Sequence, residues 1–319
     1  MHPALSIIVF TTSSGVGYGL LAWIGLLAPI GALPLDRAFA AVGLGLALAS
    51  ITAGLLSSTL HLGHPERAWR AISQWRSSWL SREGLAALAT YVPALAFAAL
   101  WLADRTGALW SACGLLTAAG SIVTVFSTAM IYRSLKPIRQ WDNAWVVPNY
   151  LLLAAMTGAL WLVAVLAVFG ERRFTVSALA AALVLAAAAA KIAYWRSIDR
   201  GASASTLASA MGLSADRPIR PLDPPHTEEN YLLREMGYRI ARRHAAKLRR
   251  IALAAGFLAP LLILALVWPL PGGAARALPT LVAALSATAG ALIERWLFFA
   301  EATHTVALYY RGNGAMSRR

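Results

Sequence analysis

Hydrophobic residues along the chain fall into eight runs of about 20 residues, each bounded by proline, glycine or charged residues. A helix needs about 20 apolar residues to cross the hydrocarbon core of a bilayer. Continuous apolar runs satisfy their backbone groups in lipid as helices, whereas barrel strands are shorter and alternate. The pattern therefore predicts an all-α polytopic integral membrane protein with about eight transmembrane helices. The predicted spans are Leu5–Ile30, Ala38–Leu60, Gly84–Ala103, Leu109–Tyr132, Val147–Gly170, Val176–Tyr194, Ile251–Leu270 and Leu278–Phe299.

We expect residues 1–319 to form a single transmembrane helical domain. The second and sixth loops are long and occupy equivalent places, which suggests two four-helix halves. The sixth loop, at about 196–250, has the composition of a soluble segment. Within it, Tyr231–Arg250 spaces apolar residues helically among basic ones. This spacing predicts a basic amphipathic helix that lies on lipid or against a partner protein.

The composition supports the membrane assignment. Of the 319 residues, 59% are hydrophobic and 13% are charged, whereas soluble domains have about 25% charged residues. The net charge of +14 requires many cations outside the apolar spans. Such a charge also suits nucleic acid, but the apolar content favours the lipid bilayer as partner, so no nucleic-acid partner is expected.

Lysine and arginine are concentrated in the even-numbered loops and the C-terminal tail, which hold 22 of the 28. The odd-numbered loops hold five. By the positive-inside rule, both termini and the even loops face the cytoplasm of a cell whose inner membrane contains the protein. The rule weakens for long loops, but the ratio without the sixth loop is still ten to five.

Cysteine and histidine usage limits the redox groups that the chain can hold. Cys113 is the only cysteine, which excludes an iron–sulfur cluster or zinc site held by several thiolates of this chain. The six histidines lie near span ends or in loops, so we expect no haem, although a haem between His61 and His304 is an alternative. Electrons that reach this chain must then come from another subunit.

The second loop carries a first group of candidate residues. His61 closes the second span, Arg67 follows a Gly and Pro break, and Glu83 opens the third span. Antiparallel neighbouring helices would bring His61 and Glu83 to the same membrane depth. An imidazole that donates to a quinone oxygen and a carboxylate that passes protons suit two-electron quinone chemistry. Alternatively, His61 and Glu83 only stabilise their helix ends, with Ser81 as the cap.

The last helix carries a second group. Glu294, Glu301 and His304 share a helix face, whereas Arg295 points away by about 100°. Ionisable residues at membrane depth are candidates for function. The alternative is an internal pair of Glu294 with Arg295 and polar residues at the interface.

Four segments of the chain resemble, in the expected order, the membrane-anchor subunit of dimethyl sulfoxide reductase and its relatives. They are LHLGHPERAW, SREGLAAL, IYRSLKPIRQWDNAWVVPNY and GALIERWLFFAEATH. The resemblance covers essentially the whole chain. The long basic sixth loop departs from the dimethyl sulfoxide reductase anchor and is more similar to the anchors of cytoplasmic sulfite dehydrogenases of the same family.

The resemblance implies an anchor without a redox metal that binds a quinone, either ubiquinone or menaquinone. It implies quinone contact at His61 with Arg67 nearby, and proton handling at Glu83. The last-helix residues match a family segment and are expected to form a second-line wall of the site; they are Glu294, Arg295, Glu301 and His304.

The resemblance also implies partners: an iron–sulfur electron-transfer subunit and a molybdopterin catalytic subunit. The expected function is sulfite:quinone oxidoreduction in sulfur or anaerobic respiration, with this chain as a non-catalytic or quinone-reactive subunit. The alternatives are the anchor of a dimethyl sulfoxide-type reductase that oxidises menaquinol, a membrane transporter, and a purely structural anchor.

Overall fold

The computed structural model describes residues 3–60, 64–200, 208, 211–213, 239–270 and 273–303. These residues form helices and turns without a strand, and eight of the helices are long and apolar enough to cross a membrane. The all-α prediction and the eight predicted spans are therefore confirmed. The helices are α1 (Pro3–Leu27), α2 (Arg37–Thr59), a 3-10 helix (Pro65–Gln74), α3 (Trp79–Leu102), α4 (Ala108–Arg133), α5 (Val146–Val168), α6 (Phe174–Arg200), α7 (Arg239–Arg243), α8 (Ala245–Val267) and α9 (Ala274–Ala300).

Three helix ends differ from the predicted ones by five residues or more. Helix α3 begins at Trp79 rather than Gly84, α6 continues to Arg200 rather than ending at Tyr194, and α8 begins at Ala245 rather than Ile251. Each added turn contains charged residues, which the hydropathy pattern places outside the membrane. Long basic side chains extend a helix beyond its apolar part because their stems pack on it while their charged ends reach polar partners.

The predicted amphipathic helix at Tyr231–Arg250 is only partly within the described residues. Arg239–Arg243 forms the short helix α7, and His244 separates it from α8. The last residues of the predicted segment belong to the seventh span rather than to a separate surface helix. Residues 231–238 lie outside the described residues.

Helices α1 and α5 are the most buried spans and lie at the centre of the bundle. Helix α1 packs against α2, α4, α5 and α9, while α5 also packs against α6 and α9. The bundle thus consists of α1 to α4 on one side and α5, α6, α8 and α9 on the other, joined through α1 and α5. At the junction, a Cβ atom added to Gly19 would lie 1.8 Å from the Ala154 carbonyl oxygen. Glycine is required there because the two backbones touch, as small residues allow in membrane helix pairs.

Because eight spans alternate in direction, one end of the bundle collects the start of α1 and the even-numbered connections. We call this end the even-loop face. Its described parts are residues 60 and 64–78, residues 134–145, the end of α6, helix α7 and the end of α9.

Candidate functional site

Glu83 lies in the second turn of α3, just below the even-loop face. Ser78 caps this helix, since its side chain accepts from the Ser81 backbone N–H at 3.5 Å. The predicted cap at Ser81 is therefore wrong. Glu83 is the fifth residue of the helix, about 6 Å from its start at 1.5 Å per residue, and it is 5% exposed. The sequence correctly places this carboxyl at the opening of the third span.

The Glu83 carboxyl is held from the neighbouring helix α4. The Thr128 hydroxyl donates a hydrogen bond to Glu83 Oε1, and its oxygen lies 3.0 Å from the Thr124 backbone carbonyl. Tyr18 of α1 lies close enough to Glu83 for an electrostatic interaction. A carboxyl this deeply buried is costly unless polar groups surround it. Helices α3 and α4 thus meet at Glu83, and Thr128 is a partner that the sequence pattern did not predict.

Arg82 binds the described part of the second loop to the start of α3. Arg82 Nε donates to the Trp75 carbonyl oxygen at 2.9 Å and Nη2 to the Arg76 carbonyl oxygen at 2.7 Å. Its guanidinium carbon lies 4.2 Å from the centre of the Trp79 ring. These contacts hold the loop against the start of α3.

Of the two other predicted site residues in the second loop, the structure describes Arg67 but not His61. Arg67 lies on the exposed 3-10 helix, with its Nε atom 3.7 Å from Glu66 Oε1. The structure shows no contact between Arg67 and Glu83, so it does not bring these two predicted site residues together. His61 lies outside the described residues, and its placement beside Glu83 stays a prediction.

The second candidate group is built around Glu294, which is fully buried. Lys191 of α6 donates to Glu294 Oε1, and Arg295 Nε donates to Oε2 at 2.5 Å. We call these three residues the buried triad. The alternative of an internal pair of Glu294 with Arg295 is therefore confirmed. The Cβ atoms of the two residues point about 100° apart on the helix, but the long arginine side chain bends back to the carboxylate.

Arg295 also packs against aromatic rings of α5 and α9. Its guanidinium carbon lies 3.9 Å above the Tyr150 ring of α5 and 5.1 Å from the Phe298 ring. Stacking on aromatic faces is a favourable environment for a guanidinium group. The Arg295 side chain therefore lies between Glu294 and the central helix α5.

Glu301 belongs to a separate ion-pair group at the end of α9. Arg249 Nε donates to Glu301 Oε1 at 2.7 Å, while Arg249 Nη1 and Nη2 donate to the Asp199 carboxylate at 2.7 and 3.0 Å. Burial raises the pKa of Glu301, and the nearby Arg249 charge only partly opposes this. His304 lies outside the described residues, so its predicted place beside Glu294 and Glu301 is not tested.

The fourth loop is bound to the end of α9 and to α6. Gln140 Nε2 donates to Thr303 Oγ1 at 2.5 Å, and the Thr303 backbone N–H donates to Gln140 Oε1 at 3.1 Å. Asn143 Nδ2 donates to Ser197 Oγ, and Trp141 Nε1 donates to the Phe298 carbonyl oxygen at 3.1 Å. The loop and the two helix ends thus form one continuous part of the even-loop face.

Comparison with known proteins decides the family. Residues 1–300 match the family model described as DMSO reductase anchor subunit (DmsC). The chain belongs to this family. It is also 35% identical, over 329 aligned residues, to one of the subunits of the sulfite dehydrogenase of Allochromatium vinosum, and the alignment covers 98% of this chain and 99% of the relative. No solved structure shows a significant match.

Membership of an anchor-subunit family confirms the resemblance seen in the sequence and implies partner catalytic and electron-transfer subunits. Together with the eight apolar helices, it makes the chain a multi-pass membrane anchor. Among the described residues, no group of three or more His, Cys, Asp or Glu side chains could hold a metal ion. Whether the whole chain carries no haem or cluster stays a prediction.

Proposed function

We propose that this chain is the quinone-reactive anchor of a molybdopterin oxidoreductase complex and serves sulfite:quinone oxidoreduction. The family and the sulfite dehydrogenase relative support the complex type. The observation that carries the quinone part is the buried Glu83 carboxyl, which is hydrogen-bonded to Thr128 and lies about one turn below the even-loop face.

The reaction requires two electrons and two protons. Sulfite and water give sulfate, two electrons and two protons in the catalytic subunit, and a quinone takes up two electrons and two protons to become a quinol. An iron–sulfur subunit docked on the even-loop face supplies the electrons. This chain supplies a binding place in the membrane and a proton path, since a diffusible quinone is too apolar to react in water.

Glu83 is the proposed proton relay. Its carboxyl is close enough to the even-loop face to exchange protons with the second loop, and Thr128 fixes its orientation on the other side. His61 is proposed to donate a hydrogen bond to one quinone oxygen. Arg67 contacts Glu66 at the surface, so the proposal does not depend on it. In this proposal the even-loop face is cytoplasmic, in accordance with the distribution of Lys and Arg.

The test compares Glu83→Gln and His61→Ala with a carboxylate variant at the opposite end of the bundle, Glu171→Gln. Loss of a positioned acid or base lowers turnover by about 10²- to 10⁴-fold. We expect that loss in quinone-coupled sulfite oxidation for the first two variants. Sulfite oxidation with a soluble dye as the electron acceptor is expected to be unchanged. Normal quinone turnover in both Glu83→Gln and His61→Ala would contradict the proposal.

The description of the family as DMSO reductase anchors supports one alternative. An anchor of a dimethyl sulfoxide-type reductase would use the same residues in the opposite direction and oxidise menaquinol. Identification of the catalytic subunit that co-purifies with the chain, and of the substrate that it turns over, separates the two directions. An exported catalytic subunit would also reverse the proposed orientation.

A further inference from the structure

A small polar recess lies at the end of the bundle opposite the even-loop face. We call this end the odd-loop face, and its described parts are residues 28–36, 103–107, 169–173 and 268–270. The recess lies between the end of α5 and the starts of α6 and α9, and its polar lining consists of Glu171, Arg173, Ser177, Arg276 and Thr280. The space inside it is about 10 Å³, which is the room that one water molecule or one oxygen atom of a larger group needs.

Arg276 is buried in this recess with unused hydrogen-bond donors. It belongs to the first turn of α9 and is 5% exposed. Among the described residues, the Nε and Nη1 atoms of Arg276 and the Nε atom of Arg173 have no hydrogen-bond partner. Buried polar groups are almost always hydrogen-bonded, and a guanidinium group offers donors only. The recess therefore suits a group that accepts hydrogen bonds.

The end of α5 does not supply the missing acceptors. Arginine side chains often donate to the last carbonyl groups of a helix. Here the backbone of the fifth loop takes that role: Leu166 O accepts from the Glu171 N–H at 2.9 Å, and Ala167 O accepts from the Gly170 N–H at 3.1 Å. Within the described part of the chain, Arg276 Nε and Nη1 bond neither oxygen. Capping of α5 therefore does not explain why this arginine is buried.

The charges around the recess favour an anion. Arg172, Arg173 and Arg276 are three of the five basic residues that the sequence places in the odd-numbered loops. Arg172 lies close enough to Arg276 for electrostatic repulsion. Glu171 Oε2 lies 3.2 Å from Arg173 Nη2, so these four residues carry two uncompensated positive charges. Helices α6 and α9 also begin at this end, and helix N-termini favour anions.

The surface beside the recess suits a lipid. Phe174 is 60% exposed, and its ring packs edge-on against the Trp268 ring with 4.3 Å between the ring centres. Tryptophan at the end of a span is typical of the head-group level of a bilayer. Arg172 Nη2 donates to the Trp268 carbonyl oxygen at 3.1 Å, which ties the basic residues to this level. Basic pockets between transmembrane helices bind phospholipid head groups.

We infer that this recess binds a phosphate group through Arg276, with one phosphate oxygen inside the recess and the rest of the group at the odd-loop face. The phosphate belongs to a phospholipid or is a free ion, and the exposed Phe174 ring beside the recess favours the lipid. The inference goes beyond the proposed function, because the proposed quinone chemistry lies at the other end of the bundle.

The test measures the melting temperature of the full chain in dodecyl maltoside and a phosphate-free buffer of constant ionic strength. One arm adds phosphatidylglycerol, and the other adds inorganic phosphate. A ligand that binds only the folded state raises the melting temperature. The variant is Arg276→Gln. The matched control is Arg105→Gln, which removes the same charge from an exposed residue of the third loop, outside the recess.

We expect phosphatidylglycerol to raise the melting temperature of the unchanged chain and of Arg105→Gln alike. Arg276→Gln is expected to need about 10- to 100-fold more lipid for the same rise, because hydrogen bonds from charged groups are the stronger ones. Without any additive, Arg276→Gln is expected to melt at the same temperature as the unchanged chain or higher, since the substitution removes a buried cation that has no acceptor. Replacing a purely structural arginine would instead lower that temperature.

The two arms identify the source of the phosphate. A rise with phosphatidylglycerol alone that depends on Arg276 supports a lipid head group, whereas the same rise with inorganic phosphate alone supports the free ion. If both additives give it, the site recognises the phosphate group in either form. If both additives act on Arg276→Gln as strongly as on Arg105→Gln, the inference is wrong. A lower melting temperature of Arg276→Gln without additive would also overturn it.

Discussion

The buried triad predicts that two substitutions, each of which removes one ion, have unequal effects on stability. Lys191, Glu294 and Arg295 have side chains that are 1%, 0% and 4% exposed. Two cations share one carboxylate. Glu294→Gln therefore leaves two buried cations without an anion, whereas Lys191→Met leaves Glu294 and Arg295 as a matched pair.

The magnitudes follow from what each substitution leaves behind. Breaking a buried ion pair by removing one partner costs about 3–5 kcal/mol, because an uncompensated charge remains. For Glu294→Gln we expect the upper end, about 5 kcal/mol, since two cations lose their partner. Lys191→Met removes only the donor to one carboxylate oxygen, which costs about 1–3 kcal/mol, and methionine replaces the packing of the lysine stem.

The measurement is the free energy of unfolding by SDS titration in mixed micelles, followed through tryptophan fluorescence. Arg37→Gln serves as the control, because the Arg37 and Asp104 side chains are 60% and 56% exposed and a surface pair contributes little. We expect no measurable loss in the control and a clear order of the two triad variants. If Lys191→Met unfolds as easily as Glu294→Gln, the excess of buried cations does not determine the cost of the two substitutions, and the reasoning is refuted.

Three further predictions concern the helix junction, the Glu83 partner and pH. Gly19→Ala is expected to destabilise the bundle by about 1–3 kcal/mol or more through overpacking against α5. Gly45→Ala, where a Cβ meets nothing within 4 Å, is expected to be neutral or to gain about 0.5–1 kcal/mol; equal effects in SDS titration would contradict the close approach. Thr128→Val leaves the carboxyl of α3 without its donor and is expected to cost about 1–3 kcal/mol and to slow quinone-coupled turnover, whereas Thr117→Val, whose hydroxyl bonds its own helix, is expected to leave turnover unchanged. Because burial raises the pKa of Glu301 above 4.5, the folded state binds that proton more tightly than the unfolded state. Stability then falls as pH rises from 4.5 through the raised pKa. Glu301→Gln is expected to flatten this slope in melting temperatures measured from about pH 4 to 8, and an unchanged slope would refute the cause.

The eight spans could be predicted from hydropathy because the bilayer fixes the length of an apolar helix. The charged ends of the helices could not be predicted, since the pattern alone does not show which charged side chains form ion pairs. Lys191 is the clearest case: the sequence groups it with the bases of the sixth loop, but it is 1% exposed inside α6 and bonded to Glu294. A lone lysine next to an alanine-rich run has the pattern of a span end unless its partner on another helix is known.

The candidate site could be predicted to a similar extent. The position of Glu83 at a helix start identifies it, whereas its partner Thr128 depends on how α3 and α4 pack. One signal for α4 is present in the sequence: hydroxyl residues at Thr117, Ser121, Thr124 and Thr128 follow the spacing of one helix face, and all four are buried. Such a stripe indicates a helix face turned towards other helices rather than lipid.

The pairing of Arg295 could not be predicted with certainty from the helix geometry, because a helical wheel gives the direction of the Cβ atom only. The arginine side chain is long enough to bend back and bond Glu294 on the same helix.

In the proposed function, the even-loop face is the place where partner docking and quinone chemistry meet. Glu83, Thr128 and Arg295 are each four or five residues from a helix end at this face, so about 6–8 Å of helix separates them from the loops. Above them, Gln140 bonds Thr303, while Arg242 donates to carbonyl oxygens at the end of α9 at 2.7 and 2.8 Å. A partner docked there contacts segments that are fixed directly to the helices of the site. Docking on the opposite face would leave most of the roughly 30 Å hydrocarbon thickness between the electron donor and Glu83. The proposed function therefore requires the iron–sulfur partner on the even-loop face, and cross-linking of that partner to the odd-numbered loops would contradict it.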